Sequence, residues 1–316
     1  MTVLLPTEEG KWMSPISRRG FIAGAGILSA GAVLPAFPAM ARPLPWPPGI
    51  QLWTVKEDMA RDFEGTLRAL GRMGYRRVES AGFHGRTPAQ YRAAVRAAGL
   101  DCVSCHFGLG DLIDKTEESL SFARGVGARY VVASSPAPSK ALDPSKPWSL
   151  GVAEAMTLAD WRSNAEEMDR IGRRARQMGM RFGYHNHSAE FFAYEKRLPM
   201  DEIVRLTRPE NVVLELDIGW VAAAGYNPVE VIERYRQRIH LLHIKDNAVA
   251  NPTPGSFLHD ERTTTIGAGT VDWPSVFRAV RRSPVHSYFV EQEEPFTEPP
   301  LEALAKSIAY LRSLSV

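Results

Sequence analysis

Short apolar runs that end in ionisable residues recur along this chain. They stand at 181–187, 213–217, 241–246 and 288–291, and each is typical of a β-strand whose carboxyl end carries the polar groups. Amphipathic stretches lie between such runs. In one of them, residues 62–74, Phe63, Leu67 and Leu70 recur at helical spacing. The pattern therefore predicts strands that alternate with helices, as in a parallel α/β fold.

Taken along the whole chain, the pattern predicts eight strands, each followed by a helix. The strands are predicted at 49–55, 76–80, 99–108, 130–134, 181–187, 211–217, 239–244 and 285–291. The helices are predicted at 62–74, 87–98, 116–126, 158–178, 198–206, 228–235, from 272, and at 300–314. Eight such units make a closed (β/α)8 TIM barrel, an α/β fold whose active site lies where the strands end. Two long loops are expected at that end, at 135–156 and 247–269, and the first is a candidate lid.

The first 41 residues have the pattern of an export signal. The run Ser17-Arg18-Arg19 resembles the twin-arginine motif, and an apolar stretch at 21–34, short for a membrane span, follows it. Ala39-Met40-Ala41 then provides a cleavage site of the A-x-A type. We therefore predict a twin-arginine signal at 1–41, a single catalytic domain at 42–316 and a periplasmic location. The alternatives are a retained membrane anchor and a pair of arginines that occurs by chance.

Composition narrows the range of partners. The chain has 316 residues, 44% hydrophobic and 23% charged, with a formal net charge of +2. This balance gives no reason to expect a nucleic acid partner or stable membrane insertion after cleavage, whereas an oligomer is compatible with it. The two cysteines, Cys102 and Cys105, fall three apart in a predicted strand and so point to opposite faces, which favours structural thiols over a disulfide.

Side chains at the carboxyl ends of four predicted strands share a face toward the barrel interior. The pairs on one face are His185 with His187, Glu215 with Asp217, His243 with Lys245, and Glu291 with Glu293. One ligand from each strand, namely His185, Asp217, His243 and Glu291, would make a site of mixed nitrogen and oxygen donors. Such donors suit Mn²⁺, Zn²⁺, Co²⁺ or Fe²⁺ better than Ca²⁺. The spacing thus predicts one bound divalent metal ion.

Several motifs at these strand ends resemble those of the sugar phosphate isomerase/epimerase family, the xylose-isomerase-like TIM barrels. They are Tyr-His-Asn-His-x-x-Glu-Phe at 184–191, Leu-Asp at 216–217, His-Ile-Lys-Asp at 243–246, Gly-Ala-Gly-Thr-Val-Asp-Trp at 267–273 and Val-Glu at 290–291. The resemblance extends from about residue 49 to the C-terminus. It implies a metal-dependent enzyme that isomerises, epimerises or dehydrates sugars and polyols.

The resemblance also implies roles for individual residues. Asp217, His243 and Glu291 match the family's second, third and fourth metal ligands. Many members have Glu where this chain has His185, so either His185 is the first ligand or its neighbour Glu190 replaces it, and we expect His185. This difference argues against an ordinary epimerase that uses two Glu residues as its acid and base.

The chemistry expected of such a site is enolisation, because a metal that polarises a ketone stabilises the enediolate formed when a base removes the neighbouring proton. Glu291 or His185 is the predicted base, and Lys245 or His187 the predicted proton donor. Five further residues are predicted near the substrate: Trp53, Glu79, His106, Glu190 and Trp220, with a structural role as the alternative for Trp53 and Glu79. Trp220 follows Asp217 and would form an apolar wall against a sugar or an ordinary packing contact.

Three functions follow from these residues. The first expectation is a metal-dependent isomerase or epimerase of a free sugar or keto-sugar derivative, since no glycine-rich phosphate cradle follows the late strands. The second is a lyase on the same scaffold, acting on a keto-inositol or a 3-keto-glycoside. The third is a sugar-binding barrel without catalysis. A nuclease built on this barrel would need a basic surface, which the near-neutral charge disfavours.

Overall fold

The computed structural model describes residues 44–257 and 262–315. The eight barrel strands are Gly49–Gln51, Arg77–Ala81, Asp101–Phe107, Tyr130–Ala133, Arg181–His185, Val212–Asp217, Ile239–Ile244 and Ser287–Val290. Each strand pairs in parallel with the next, and the eighth pairs with the first through Gly49 and Phe289, which closes the barrel. The predicted TIM-barrel fold is therefore confirmed. The predicted export signal at 1–41 lies outside the described residues.

Helices surround the strands and cover them with a continuous apolar core. The α-helices are Lys56–Arg61, Phe63–Met73, Pro88–Ala97, Leu109–Asp114, Thr116–Val126, Trp148–Ala155, Leu158–Gln177, Pro199–Leu206, Ile218–Ala223, Pro228–Tyr235, Trp273–Val280 and Pro300–Ser313. Short 3-10 turns lie at Leu52–Val55, Ala189–Phe191 and Arg236–Arg238. Within the described ranges, none of the helices has the length and apolarity needed to span a bilayer.

Three predictions about local structure need correction. The first strand ends at Gln51 instead of residue 55, because the Gln51 side chain accepts a hydrogen bond from the Trp53 amide and starts a 3-10 turn. The predicted lid loop contains the helix Trp148–Ala155. The second long excursion begins as a short antiparallel pair, in which Asp246 faces Thr264.

The side chains inside the barrel change character along the strands. The lower interior is apolar and includes Val213, Leu241 and Phe289. Two residues further along the same strands stand Glu215, His243 and Glu291. Because alternate residues of a strand face the same side, the polar layer lies above the apolar one and opens toward the strand ends. Cys102 and Cys105 are buried and free, as predicted.

Candidate metal centre and cavity

The four predicted metal ligands meet at the carboxyl ends of the strands. His185 and Asp217 are the last residues of the fifth and sixth strands, His243 is next to last in the seventh, and Glu291 follows the eighth. Their potential ligand atoms all lie within 4.8 Å of one another, and all four residues are buried. Parallel strands bring these residues together although they are distant in sequence.

Two buried atoms of this cluster lack a hydrogen-bond partner in the described part of the chain. They are Nδ1 of His185 and Oδ2 of Asp217. Burial raises the pKa of Asp217 to about 6. An unpaired buried polar atom is costly, and coordination to a cation would remove that cost. Two imidazoles and two carboxylates fit a divalent transition metal.

His243 is held between the cluster and a second carboxylate beneath it. Its Nδ1 lies 3.1 Å from Oε2 of Glu291, and its Nε2 lies 2.6 Å from Oε1 of Glu79. A carboxylate on the far nitrogen of a ligating histidine fixes the ring orientation and strengthens the ligand. Glu79 is completely buried and its hydrogen-bond contacts are with protein groups, which favours a supporting role over contact with substrate. Its place is below His243, as a support.

His106 and Glu215 form a polar layer with Glu79 under the cluster. His106 Nε2 lies 2.6 Å from Glu215 Oε2 and 2.8 Å from Glu79 Oε1. Burial lowers the pKa of His106, but the two carboxylates outweigh that effect and raise it to about 9. Potential ligand atoms of His106 and Glu215 also lie within 4.8 Å of those of His185 and His243. This layer therefore adds opposite charges that compensate each other in the barrel interior.

Lys245 neutralises the carboxylates around the cluster. Its Nζ lies 2.8 Å from Glu291 Oε2 and 3.5 Å from Asp217 Oδ2, and it also donates to Glu293. The Nζ lies 4.3 Å from the centre of the Trp220 ring. The lysine side chain is fully buried behind these groups, which favours a structural role over the predicted role as a proton donor to substrate. Its charge instead keeps Glu291 and Asp217 in place.

A cavity of about 670 Å³ opens above the cluster. Its lining includes the cluster residues His185 and Glu291, the polar residues His106, His187 and Glu293, and the indoles of Trp53 and Trp148. The Trp148 ring lies 4.4 Å from the His187 ring, so the predicted lid segment does reach the site. A volume of several hundred Å³ lined by aromatic and a few polar groups is typical of a small-molecule site.

Two of the predicted site residues have their main contacts within the protein. Both carboxylate oxygens of Glu190 accept hydrogen bonds, one from the Tyr184 hydroxyl and one from the His187 amide. Glu190 is fully buried, so these contacts do not favour it as first metal ligand or as a substrate contact. Trp220 is mostly buried between Lys245 and His187.

Sequence reasoning assigned no role in the site to Glu293 or Trp148. Glu293 lines the cavity and accepts from Lys245, and its place two residues after Glu291 was the available signal. Trp148 was missed because it begins a helix within a segment rich in Pro and Ser.

The surroundings of His187 determine the protonation state of its ring. Burial lowers the pKa of His187 to about 3, so its ring is neutral near pH 7. Its Nδ1 is buried and has no hydrogen-bond partner among residues 44–257 and 262–315. The ring borders the cavity between Trp148 and Trp220. A neutral imidazole in this position has a ring nitrogen that can accept a hydrogen bond from a bound molecule.

Comparison with known proteins agrees with this architecture. A family model described as xylose isomerase-like TIM barrel matches residues 67–314. An inosose dehydratase from Geobacillus kaustophilus is 27% identical over 188 residues, which is 57% of this chain and 60% of the relative. The match thus covers less than two thirds of that relative.

Two solved structures share the fold. A sugar phosphate isomerase/epimerase from Parabacteroides distasonis superposes with a TM-score of 0.65 at 21% identity, covering 91% of this chain and 98% of the other. The IolI protein, solved with a bound zinc atom, superposes with a TM-score of 0.57 at 16% identity, covering 83% and 95%. At these identities the likeness extends to the fold alone.

Proposed function

Because this chain belongs to the xylose isomerase-like TIM barrel family, we propose that it is a divalent-metal-dependent lyase of keto-sugars or keto-polyols. In the proposed reaction, a proton leaves the carbon beside a ketone, and a substituent leaves the next carbon. The observation that carries the proposal is the buried cluster of His185, Asp217, His243 and Glu291 at the floor of a cavity large enough for a sugar.

Elimination is favoured over isomerisation by two observations. The curated relative is named a dehydratase, and a dehydratase is a lyase. In addition, the resemblance at 184–191 implies Glu at the position of His185 in paired-glutamate epimerases, and His185 would not supply that second glutamate. Both reactions begin with the same proton removal, and they differ in whether a leaving group then departs.

The cluster residues would hold the metal ion. Bound by His185, Asp217, His243 and Glu291, a divalent ion would supply Lewis-acid polarisation of the substrate ketone. The solved neighbour with a zinc atom supports a metal in this fold. Glu79 would orient His243 from below, and Lys245 would hold Glu291 from the side.

His187 is the proposed acid and base. It borders the cavity and carries a buried ring nitrogen that no group in the described ranges engages. A single imidazole on one face of the substrate would take the proton from carbon and return it to the leaving oxygen. Such a syn elimination needs no second proton donor, which agrees with the burial of Lys245.

The proposal is tested with metal-loaded protein and two ketones, a keto-inositol and a 3-keto-glucoside, in deuterated water. We expect release of water or alcohol together with an unsaturated ketone, detected by absorbance and mass spectrometry. His187→Gln should lower the rate at least about 100-fold with its metal content unchanged. His286→Gln is the control, because His286 lies just before the start of the eighth strand, at the opposite end of the barrel.

Two results would contradict the lyase. Deuterium exchange beside the ketone without loss of a group would indicate an isomerase or epimerase. Binding of the ketone with neither exchange nor release would indicate a sugar-binding barrel without catalysis.

A further inference from the structure

Two exposed tryptophans flank the mouth of the cavity. The side chains of Trp53 and Trp148 are 45% and 40% exposed, and Val249 is the remaining large hydrophobic residue with high exposure in the described ranges. Trp53 stands in the 3-10 turn after the first strand, and Trp148 begins the helix in the loop after the fourth. Exposed indoles contribute little to the core, so their position at a cavity indicates contact with a ligand.

These indoles also border a second chamber of about 280 Å³. Four residues line both the main cavity and this chamber, namely Trp53, Trp148, His187 and Glu293. The chamber therefore adjoins the cavity at the proposed acid/base His187. A group that leaves the substrate beside His187 could therefore occupy this chamber.

We propose that this second chamber is a subsite for the leaving group, and that the leaving group is a ring, either a sugar or an aryl group. This inference rests on the proposed lyase and narrows its substrate to a glycoside of a keto-sugar. A free keto-polyol would release only water and would leave the second chamber without an occupant.

The chemistry of the chamber fits a ring with one apolar face and polar edges. Indole faces pack against flat apolar surfaces, and aromatic rings and the C–H faces of sugars both offer such surfaces. Charged groups stand beside the indoles: Lys56 Nζ lies 4.2 Å from the Trp53 ring centre and 3.8 Å from Glu294 Oε1. These groups are placed to meet the hydroxyls of a second sugar.

The reaction balances without another reactant. For a 3-keto-glycoside, His187 takes the proton from C2, and the electron pair forms the C1–C2 double bond. The bond from C1 to the glycosidic oxygen breaks, and that oxygen receives the proton from His187. The products are an unsaturated ketone and a free alcohol that carries the ring.

The first test compares methyl, benzyl and glucosyl 3-keto-β-glucosides as substrates, because benzyl alcohol and methanol are similar leaving groups. In the wild type, kcat/KM should be about tenfold higher with the benzyl or the glucosyl leaving group than with methyl. Preference for benzyl alone indicates an aryl subsite, and preference for glucosyl alone indicates a sugar subsite. Equal kcat/KM for all three would overturn the proposal.

Substitution of the indoles should remove the preference. Trp53→Ala is the cleaner variant, because Trp148 contacts His187. We expect it to bring the ratio of kcat/KM values close to one, chiefly through a higher KM for the ring-bearing 3-keto-glucoside. Val249→Ala, which removes an exposed apolar side chain elsewhere, should keep the wild-type ratio. A preference that survives Trp53→Ala and Trp148→Ala would overturn the proposal.

Binding separates this inference from the proposed function. Calorimetry should show that phenyl β-glucoside binds the metal-loaded protein about tenfold more tightly than methyl β-glucoside. Trp53→Ala should abolish this difference in affinity. If the difference in affinity is found but no ketone undergoes elimination, the ring subsite is supported and the proposed lyase activity is contradicted. If elimination occurs but neither assay shows a preference for a ring, the proposed lyase activity is supported and the ring subsite is contradicted.

Discussion

Nε2 of His243 lies 2.6 Å from Oε1 of Glu79, while Nδ1 of the same ring faces the cluster. Glu79 is fully buried, and it also contacts Gln51 at 2.8 Å. The carboxylate therefore holds the imidazole in one orientation, and with a metal bound it would keep the ring proton on Nε2. This is the arrangement that a ligating histidine requires.

Glu79→Gln should weaken metal binding although Glu79 is not a ligand. The neutral amide would accept a weaker hydrogen bond from Nε2 of His243 than the carboxylate does. Loss of such a partner typically lowers metal affinity about 10–100-fold. Competition with a chromophoric chelator measures this directly. Glu202→Gln, which alters another buried glutamate far from the cluster, should leave the affinity unchanged. Wild-type affinity in Glu79→Gln would contradict the assigned role.

The ion pairs of Glu202 should make the free energy of unfolding depend on pH. Its carboxylate pairs with Arg162, Arg197 and Arg205 at 2.8, 3.1 and 2.6 Å. The hydrogen bond from Arg205, with those from Arg162 and Arg197, outweighs burial and lowers the pKa of Glu202 to about 2, from an ordinary value of 4.5. Because the folded-state pKa is depressed, this stabilisation is complete above pH 4.5 and is lost as pH falls toward 2.

The Glu202→Gln variant tests this account. It should unfold more easily at neutral pH, by about 1–3 kcal/mol, because charge-assisted hydrogen bonds are lost. The difference from wild type should shrink as pH falls from 4.5 to 2, in urea titrations across that range. Glu233→Gln is a control, since Glu233 pairs with the partly exposed Arg236 on the surface. A constant difference at all pH values would contradict the assignment.

The export signal remains a prediction with a simple test. Replacing Arg18 and Arg19 together by Lys should keep the charge but block twin-arginine export, because that route depends on the arginine pair. We expect the wild type in the periplasmic fraction and the double variant in the cytoplasm, by immunoblot. Equal periplasmic amounts of both proteins would contradict this route.

The fold and the convergence of the four ligands could be predicted from the sequence. Strand periodicity assigns each side chain to a face, and the closure of eight parallel strands then brings the tips together. His185, Asp217, His243 and Glu291 follow directly from that rule. The same rule placed Glu215 and Lys245 on the interior face.

Depth within the barrel could not be predicted in this way. Periodicity gives the direction of a side chain but not which neighbours cover it. Lys245 is sealed by three carboxylates and an indole, and Glu79 lies under His243, so neither reaches the cavity. The helix that begins at Trp148 was hidden because its eight residues show no strong separation of polar and apolar faces.

The central claim is that His185, Asp217, His243 and Glu291 bind one metal ion. The most direct measurement is metal content by mass spectrometry of purified protein, for wild type, His185→Ala, Asp217→Asn and Glu190→Gln. Asn is chosen at 217 because Asp217 Oδ1 also caps the helix Ile218–Ala223 through the Trp220 amide at 2.8 Å, and an amide oxygen preserves that bond.

We predict about one transition metal ion per chain in wild type and in Glu190→Gln, and strongly reduced metal in His185→Ala and Asp217→Asn. Circular dichroism should show that all four proteins are folded. Wild-type metal content in His185→Ala would contradict the histidine as first ligand. Wild-type protein that neither carries nor takes up a divalent metal would contradict the central claim.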